Sequence, residues 1–322
     1  MATTKEIKNR IKSVKDTQKI TNAMYLISST KMTKAKRELD NTRPYFEMLK
    51  KQIVTMIDMN EAAHNEYFTD QAVVIPEEGA IDAVSQEGDV KDTVAYLVIT
   101  ADKGLAGAYN QNVIKEAMRL IKASHSYKLF VVGEYGRRFF EGKNMDIDQS
   151  FLYTAQNPTL ERAREITRVI ISLYRKKQIT KVFIVYTDFR NGLMGGDVVS
   201  MELLPFDRED FRLDAEESAE ANNNHMEYMP NVTEVLNNVV PSFVSGYIYS
   251  ALVDSFCSEQ SARMSAMDAA NTNAEELLER LNLEYNHVRQ GAITQEITEV
   301  SAGSRGQKKS KKKRELREEG LN

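Results

Sequence analysis

Cysteine is nearly absent: Cys257 stands alone among 322 residues, which removes any disulfide framework and any cysteine-based zinc site. Histidine is almost as scarce. His64, His125, His225 and His287 are scattered without the close spacing of metal ligands, so metal chemistry is not expected. Nowhere do about 18 consecutive apolar residues occur, as a membrane span requires. The opening MATTKEIKNRIKSVK is basic but lacks the apolar run of a secretion signal. These absences lead us to expect a cytoplasmic chain without membrane insertion. No Ser-His-Asp or Cys-His arrangement can be argued from spacing. Neighbouring carboxylates such as Glu216 and Glu217 sit in polar, Asn-rich sequence, where solvated charge accounts for them.

The composition that remains, 42% hydrophobic and 28% charged, suits a folded chain of one or two domains. The net charge of -4 conceals an asymmetry. Residues 1 to 58 hold 13 Lys or Arg against 6 Asp or Glu, and residues 305 to 322 hold 8 against 3. The two ends therefore carry +7 and +5, which leaves -16 for the middle. Such ends are suited to acidic surfaces.

The N-terminal segment shows a sustained heptad. Ile7, Ile11, Val14, Gln18, Thr21, Tyr25, Ser28, Met32, Ala35, Leu39, Thr42, Phe46, Leu49, Ile53 and Met56 step by alternating four and three residues. That period predicts a long helix supercoiling on a partner. At about 1.5 Å per residue, a helix over residues 3 to 58 would be on the order of 80 Å long. Gln18, Thr21, Ser28 and Thr42 make the seam impure, and Pro44 predicts a kink. A second helix is predicted from about Ser242 to Val300, with Pro241 suited to its first turn. Leu252, Phe256, Ala266, Ala270, Leu277, Leu281, Val288 and Ala292 mark one face of it, with Glu259, Gln260 and Arg263 beside them. The expected arrangement is an antiparallel coiled coil of the two ends.

Between the ends the period changes. TVAYLVIT (93 to 100), KLFVVG (128 to 133), KVFIVYTDF (181 to 189) and VVSMELLPF (198 to 206) read as strands. QNVIKEAMRLI and residues 157 to 177 read as helices. The alternation predicts a small, mostly parallel, Rossmann-like α/β domain inserted into the coil. The expected divisions are an N-terminal coiled-coil helix at 1–58, an acidic linker or insertion at 59–92 and the central α/β domain at 93–206. An acidic loop and short helix follow at 207–240, then the C-terminal coiled-coil helix at 241–302. The basic tail at 303–322, low in hydrophobics, is expected to be disordered or a frayed helix.

Two motifs invite a functional reading. ADKGLAGAYN (101 to 110) is a glycine-bearing turn between strand and helix, where phosphates can meet backbone amides. Gly104 and Gly107 fit neither G-x-G-x-x-G nor a P-loop, so a tight structural turn is the better account and no cofactor is expected. The lopsided charge of Lys5, Lys8, Arg10, Lys12, Lys15, Lys19, Lys31, Lys34, Lys36 and Arg37 suits nucleic acid or an acidic protein surface. No interleaved aromatics or reader motif accompany it, which favours protein.

NAMYLISSTKMTKAKRELDNTRPYFEML (22 to 49), ITADKGLAGAYNQNVIK (99 to 115) and SEQSARMSAMDAANTNAEELLERLNLEYNHVRQGAITQEITE (258 to 299) together resemble the γ subunits of bacterial F-type ATP synthases, in the right order and over nearly the whole chain. The resemblance implies a non-catalytic central rotary stalk. Its partners would be the α and β subunits of the catalytic ring, the ε subunit and the membrane c-ring, at the cytoplasmic face of the cell membrane. It also implies that Met24, Arg263 and Gln290 contact the mobile region of the β subunits, with Lys31, Arg289, Thr294 and Glu296 in the same motifs. Gly291 stands where that family has alanine, which should soften the helix by about 1 kcal/mol. The basic tail, which the usual bacterial member lacks, would reach the acidic surface of the ring. The alternatives are a basic coiled-coil protein that binds nucleic acid or serves as a scaffold, and an enzyme built on the α/β domain.

Overall fold

The computed structural model describes residues 3–57, 66–69, 93–189, 196–207, 228–229 and 231–319, with side chains described as far as residue 310. The expected acidic segments at 59–92 and 207–240 lie largely outside these residues. The chain divides into two compact units, one of Leu26–Ala266 and one of Met1–Tyr25 with Met267–Asn322.

Helix α1 spans Thr4–Ile57. A reciprocal cap opens it: the Glu6 N–H donates to Thr3 Oγ1 (3.3 Å) and the Thr3 N–H to Glu6 Oε2 (2.8 Å), satisfying two amides that the first turn would leave unpaired. Every position of the heptad seam is buried or partly buried, the polar ones included, and Ser28 is only 2% exposed. The seam is therefore real although it is not uniformly apolar.

Within the larger unit, strands β2 (Thr93–Ile99), β3 (Ser126–Val132), β4 (Lys181–Asp188) and β5 (Asp197–Leu204) form one sheet in the order β3-β2-β4-β5. The first three are mutually parallel and β5 is an antiparallel edge. Short strands β1 (Phe68–Thr69) and β6 (Phe206–Asp207) pair separately. Alternate side chains of the central strands enter two cores, which is why β2 and β4 read as continuous apolar runs. Ala95, Leu97, Ile99, Val182, Ile184 and Tyr186 pack with helix α4 (Leu160–Arg175) and with the long helices. Tyr96, Val98, Phe183 and Val185 pack with helices α2 (Tyr109–Ala123) and α3 (Glu134–Gly142). Helix α3 was not expected from the sequence. It is only nine residues long and contains Gly136, where a Cβ would lie 2.5 Å from Thr100 Oγ1.

Helix α5 runs Val232–Glu319. It starts about ten residues before the expected boundary and carries Pro241 in its interior. The proline cannot donate to the carbonyl four residues back, Asn237 O. That oxygen instead accepts from Arg175 Nη2 at 3.0 Å, so the helix continues. At its far end α5 passes through the segment expected to be disordered or frayed; Lys, Arg, Glu and Gln there have good helix propensity without needing burial.

The two long helices are antiparallel in both units. In the larger, Cys257 Sγ lies 3.9 Å from Met32 O, and Gly246 abuts Phe46. In the smaller, Gln18 Nε2 donates to Glu275 Oε1 (3.2 Å), and Asn271 bonds both Thr21 and Asn22.

A Cβ on Gly246 would fall 2.1 to 2.6 Å from three carbons of the Phe46 ring. Gly246→Ala should therefore cost about 1–3 kcal/mol by forcing the helices apart, measured by thermal unfolding, and should cost measurably less in a Phe46→Leu background. Equal costs in both backgrounds would refute this close approach. A second expectation concerns Glu202 on β5, whose Oε1 is buried without a hydrogen-bond partner among the described residues. Burial chiefly, with Asp207 adding repulsion and Lys181 opposing, raises its carboxyl to about 7. The folded value lies above the unfolded one, so the protonated group's contribution to stability is complete below about pH 4.5 and is lost as pH rises through 7. The side chain is partly exposed, and solvent screening leaves about 1 kcal/mol of that effect. Glu202→Gln should gain stability relative to the parent between pH 5 and 8, by about that amount, in denaturant titrations at several pH values.

Candidate functional site

The turn after β2 is held together from within. Asn110 Oδ1 accepts the Ala101 N–H (2.9 Å) while its Nδ2 donates to Lys103 O (3.3 Å). The Asp102 carboxylate accepts the N–H groups of Glu134, Ala155 and Gln156 at 3.1, 2.9 and 3.1 Å. A carboxylate engaged in this way ties α3 and the segment before α4 to the turn, and its negative charge is the wrong sign for a phosphate cradle. Gly107 adopts a φ of 55° and Gly133 one of 98°. At Gly133 a Cβ would meet Thr100 O at 2.2 Å. The glycines thus serve chain reversal and close backbone approach.

Facing that turn on α5, Arg263 Nη2 stands 2.6 Å from Glu259 Oε1 and donates to Gly104 O at 3.2 Å. The two side chains are 11% and 6% exposed. Burial pushes the Glu259 carboxyl above its ordinary range, only partly offset by Arg263, with Asp102 adding to the rise. Burial, reinforced by Glu259, also raises the Tyr109 hydroxyl. Arg263, which the resemblance assigns to an external partner, is therefore engaged within its own chain.

The other expected contact residues lie at the surface. In the larger unit Lys31 is exposed; in the smaller, Met24 is half-buried and Arg289, Gln290, Thr294 and Glu296 are exposed. Gln290 and Thr294 are joined locally, Thr294 Oγ1 donating to Gln290 O at 2.8 Å. Other residues around these positions were missed. Ile20, Leu26 and Ile27 on α1 are 61%, 65% and 55% exposed, and Ile293, Ile297 and Val300 on α5 are 43%, 64% and 73% exposed. Ile20 and Met24 are spaced four apart on α1 in the smaller unit, and Ile27 and Lys31 four apart in the larger, so each pair shares a helix face within its own unit. Ile293, Ile297 and Val300 do the same on α5. The available signal was apolar character away from the heptad seam. From Arg289 to Ser310 every residue of α5 is exposed, and exposed apolar stripes of this kind mark protein contacts.

Among the described residues no group of three or more His, Cys, Asp or Glu could hold a metal ion, and no helix is long and apolar enough to cross a membrane. Burial, with Asp254 adding repulsion, pushes the Cys257 thiol up to about 12. A thiol so placed is inert rather than nucleophilic.

Comparison with known proteins identifies the family. A family model described as ATP synthase matches residues 3–306, so residues 307 to 322 lie beyond it. The ATP synthase gamma chain of Caldanaerobacter subterraneus subsp. tengcongensis is 41% identical over 93% of this chain and 98% of its own length. The gamma chain of Acetobacterium woodii described as sodium ion specific is 35% identical over 93% and 97%. The central stalk and c-ring structure of Tetrahymena thermophila mitochondrial ATP synthase contains a chain with the same fold, at a TM-score of 0.54, 21% identity and coverage of 78% of this chain and 99% of that one. With the family model spanning nearly all of it and relatives aligned almost end to end, the chain belongs to the ATP synthase γ-chain family.

Proposed function

We propose that this chain is the central rotating shaft of a bacterial F-type ATP synthase and performs no ATP chemistry itself. It would stand within a ring of alternating α and β subunits, with ε and the membrane c-ring at its other end, peripheral at the cytoplasmic face of the cell membrane. The observation that carries the reading is that α5 leaves residues 289 to 310 exposed on every side, with Ile293, Ile297 and Val300 uncovered. An asymmetric rod in a nearly threefold ring touches each β subunit differently, and differential contact is what biases each site toward a different state. Ile20 with Met24, and Ile27 with Lys31, on α1, and Arg289, Gln290, Thr294 and Glu296 on α5, are assigned to those contacts. Nothing on the described surface favours nucleic acid over an acidic protein partner.

Mixing the purified chain with α and β subunits should yield a complex with one copy per three αβ pairs and an ATPase activity above that of the isolated subunits. Absence of association under folding-competent conditions would overturn the shaft and leave a basic coiled coil with another acidic partner. Ile20→Asp with Ile27→Asp changes only exposed positions, so the free chain should keep its melting temperature. Its affinity for the ring should fall by about tenfold or more. The basic segment past the family match is assigned to an acidic surface of the same ring. Deleting residues 305 to 322 should change ATPase activity or assembly in a salt-dependent manner, and an unchanged complex at low salt would reduce it to a solvated extension.

A further inference from the structure

The pairing of Arg263 with Glu259 is difficult to explain as a device for stability. Two charges this buried lose hydration that their attraction barely restores, and apolar substitutes of similar size often serve as well. What an apolar pair could not do is reach the turn. One guanidinium holds Glu259 Oε1 at 2.6 Å and the Gly104 carbonyl at 3.2 Å. Gly104 belongs to the turn that Asn110 and Asp102 fasten to β2, α2, α3 and the segment before α4. A few residues back along α5, Ser255 Oγ accepts the Thr187 N–H (3.3 Å) and Ser258 Oγ donates to Thr187 O (3.4 Å), a second link to the end of β4. Ala262 packs on Ala101, Ala106 and Tyr109 between these links.

We propose that Arg263 is a positioning residue which, held by Glu259, clamps the turn of residues 101 to 108 onto α5, adding a directional polar link to the apolar core by which α5 carries the α/β domain. The mechanical consequence rests on the rotor reading; the clamp does not. A β-subunit contact for Arg263, as the resemblance implies, would have to compete with both of these bonds. In this assignment the partner-facing work belongs to the exposed residues, and Arg263 joins the parts of the rotor to one another.

Spin labels on Lys115→Cys in α2 and Ser265→Cys in α5, both exposed positions, report the separation of domain and helix in the full chain, with buried Cys257 left in place. Two variants are compared with the parent: Arg263→Ala, and Glu259→Gln with Arg263→Met. The double variant leaves no buried charge unpaired yet has no donor for Gly104. The clamp predicts a broadened distance distribution in both. If Arg263 served only to balance Glu259, the double variant would recover the parental width, and that result, or an unchanged width in Arg263→Ala, would overturn the proposal. Failure of the parental chain to assemble would refute the rotor reading while leaving the distance measurement to decide the clamp.

Discussion

The larger unit depends on α5 meeting two partners with one helix. Gly246 admits the Phe46 ring of α1 at a distance no side chain would allow. Further along, Ser255, Ser258, Glu259 and Arg263 turn polar atoms toward β4 and the turn after β2. The first contact is a matter of close packing, in which dispersion and burial dominate. The second is a set of hydrogen bonds whose geometry must be met or abandoned. Because β5 follows Gly196, where a Cβ would meet Asp188 O at 2.2 Å and Ser258 Oγ at 2.8 Å, even the sheet's edge is shaped by α5. The α/β domain and the helices therefore share one apolar core instead of touching as separate bodies.

The same preference for geometry over adhesion recurs in the smaller unit. Gln18 with Glu275, and Asn271 with Thr21 and Asn22, place polar pairs where leucine would adhere better. Each pair meets only in this register, and sliding one helix along the other would exchange these mostly exposed bonds for water. Ile7, Leu278 and Leu281 nearby supply the burial. A seam of this kind favours one register while contributing less to holding the helices together than an all-leucine seam would.

How much of this was legible in the sequence varied with the range of the interaction. The seam could be read residue by residue because a heptad is local, and the strands could be read because β2 and β4 are β-branched runs. What escaped depends on partners distant in the chain. The start of α5 was placed too late because Pro241 reads as a first-turn residue. The Arg175 guanidinium that satisfies Asn237 O, and so lets the helix run through, is 62 residues away. Arg263 was singled out by family resemblance, but its partner in this chain could not be read, since Gly104 lies 159 residues off. The exposed isoleucines of α1 were hidden by the success of the heptad itself, which directed attention to the positions it explained.

Those isoleucines also separate the two tasks of α1. Ile53, Val54 and Met56 at its end are 0%, 3% and 1% exposed and belong to the shared core. Ile20 and Ile27 lie off the seam and face solvent. Apolar side chains left in water contribute little to the fold of the free chain, and the proposed function gives them a partner surface to meet. Were that surface engaged permanently, a broad and strongly apolar interface would be expected. In the proposed reading, a few exposed isoleucines beside cations such as Lys31 would instead give contacts weak enough to break and, through charge, quick to re-form. That balance suits a helix whose partners change as it turns.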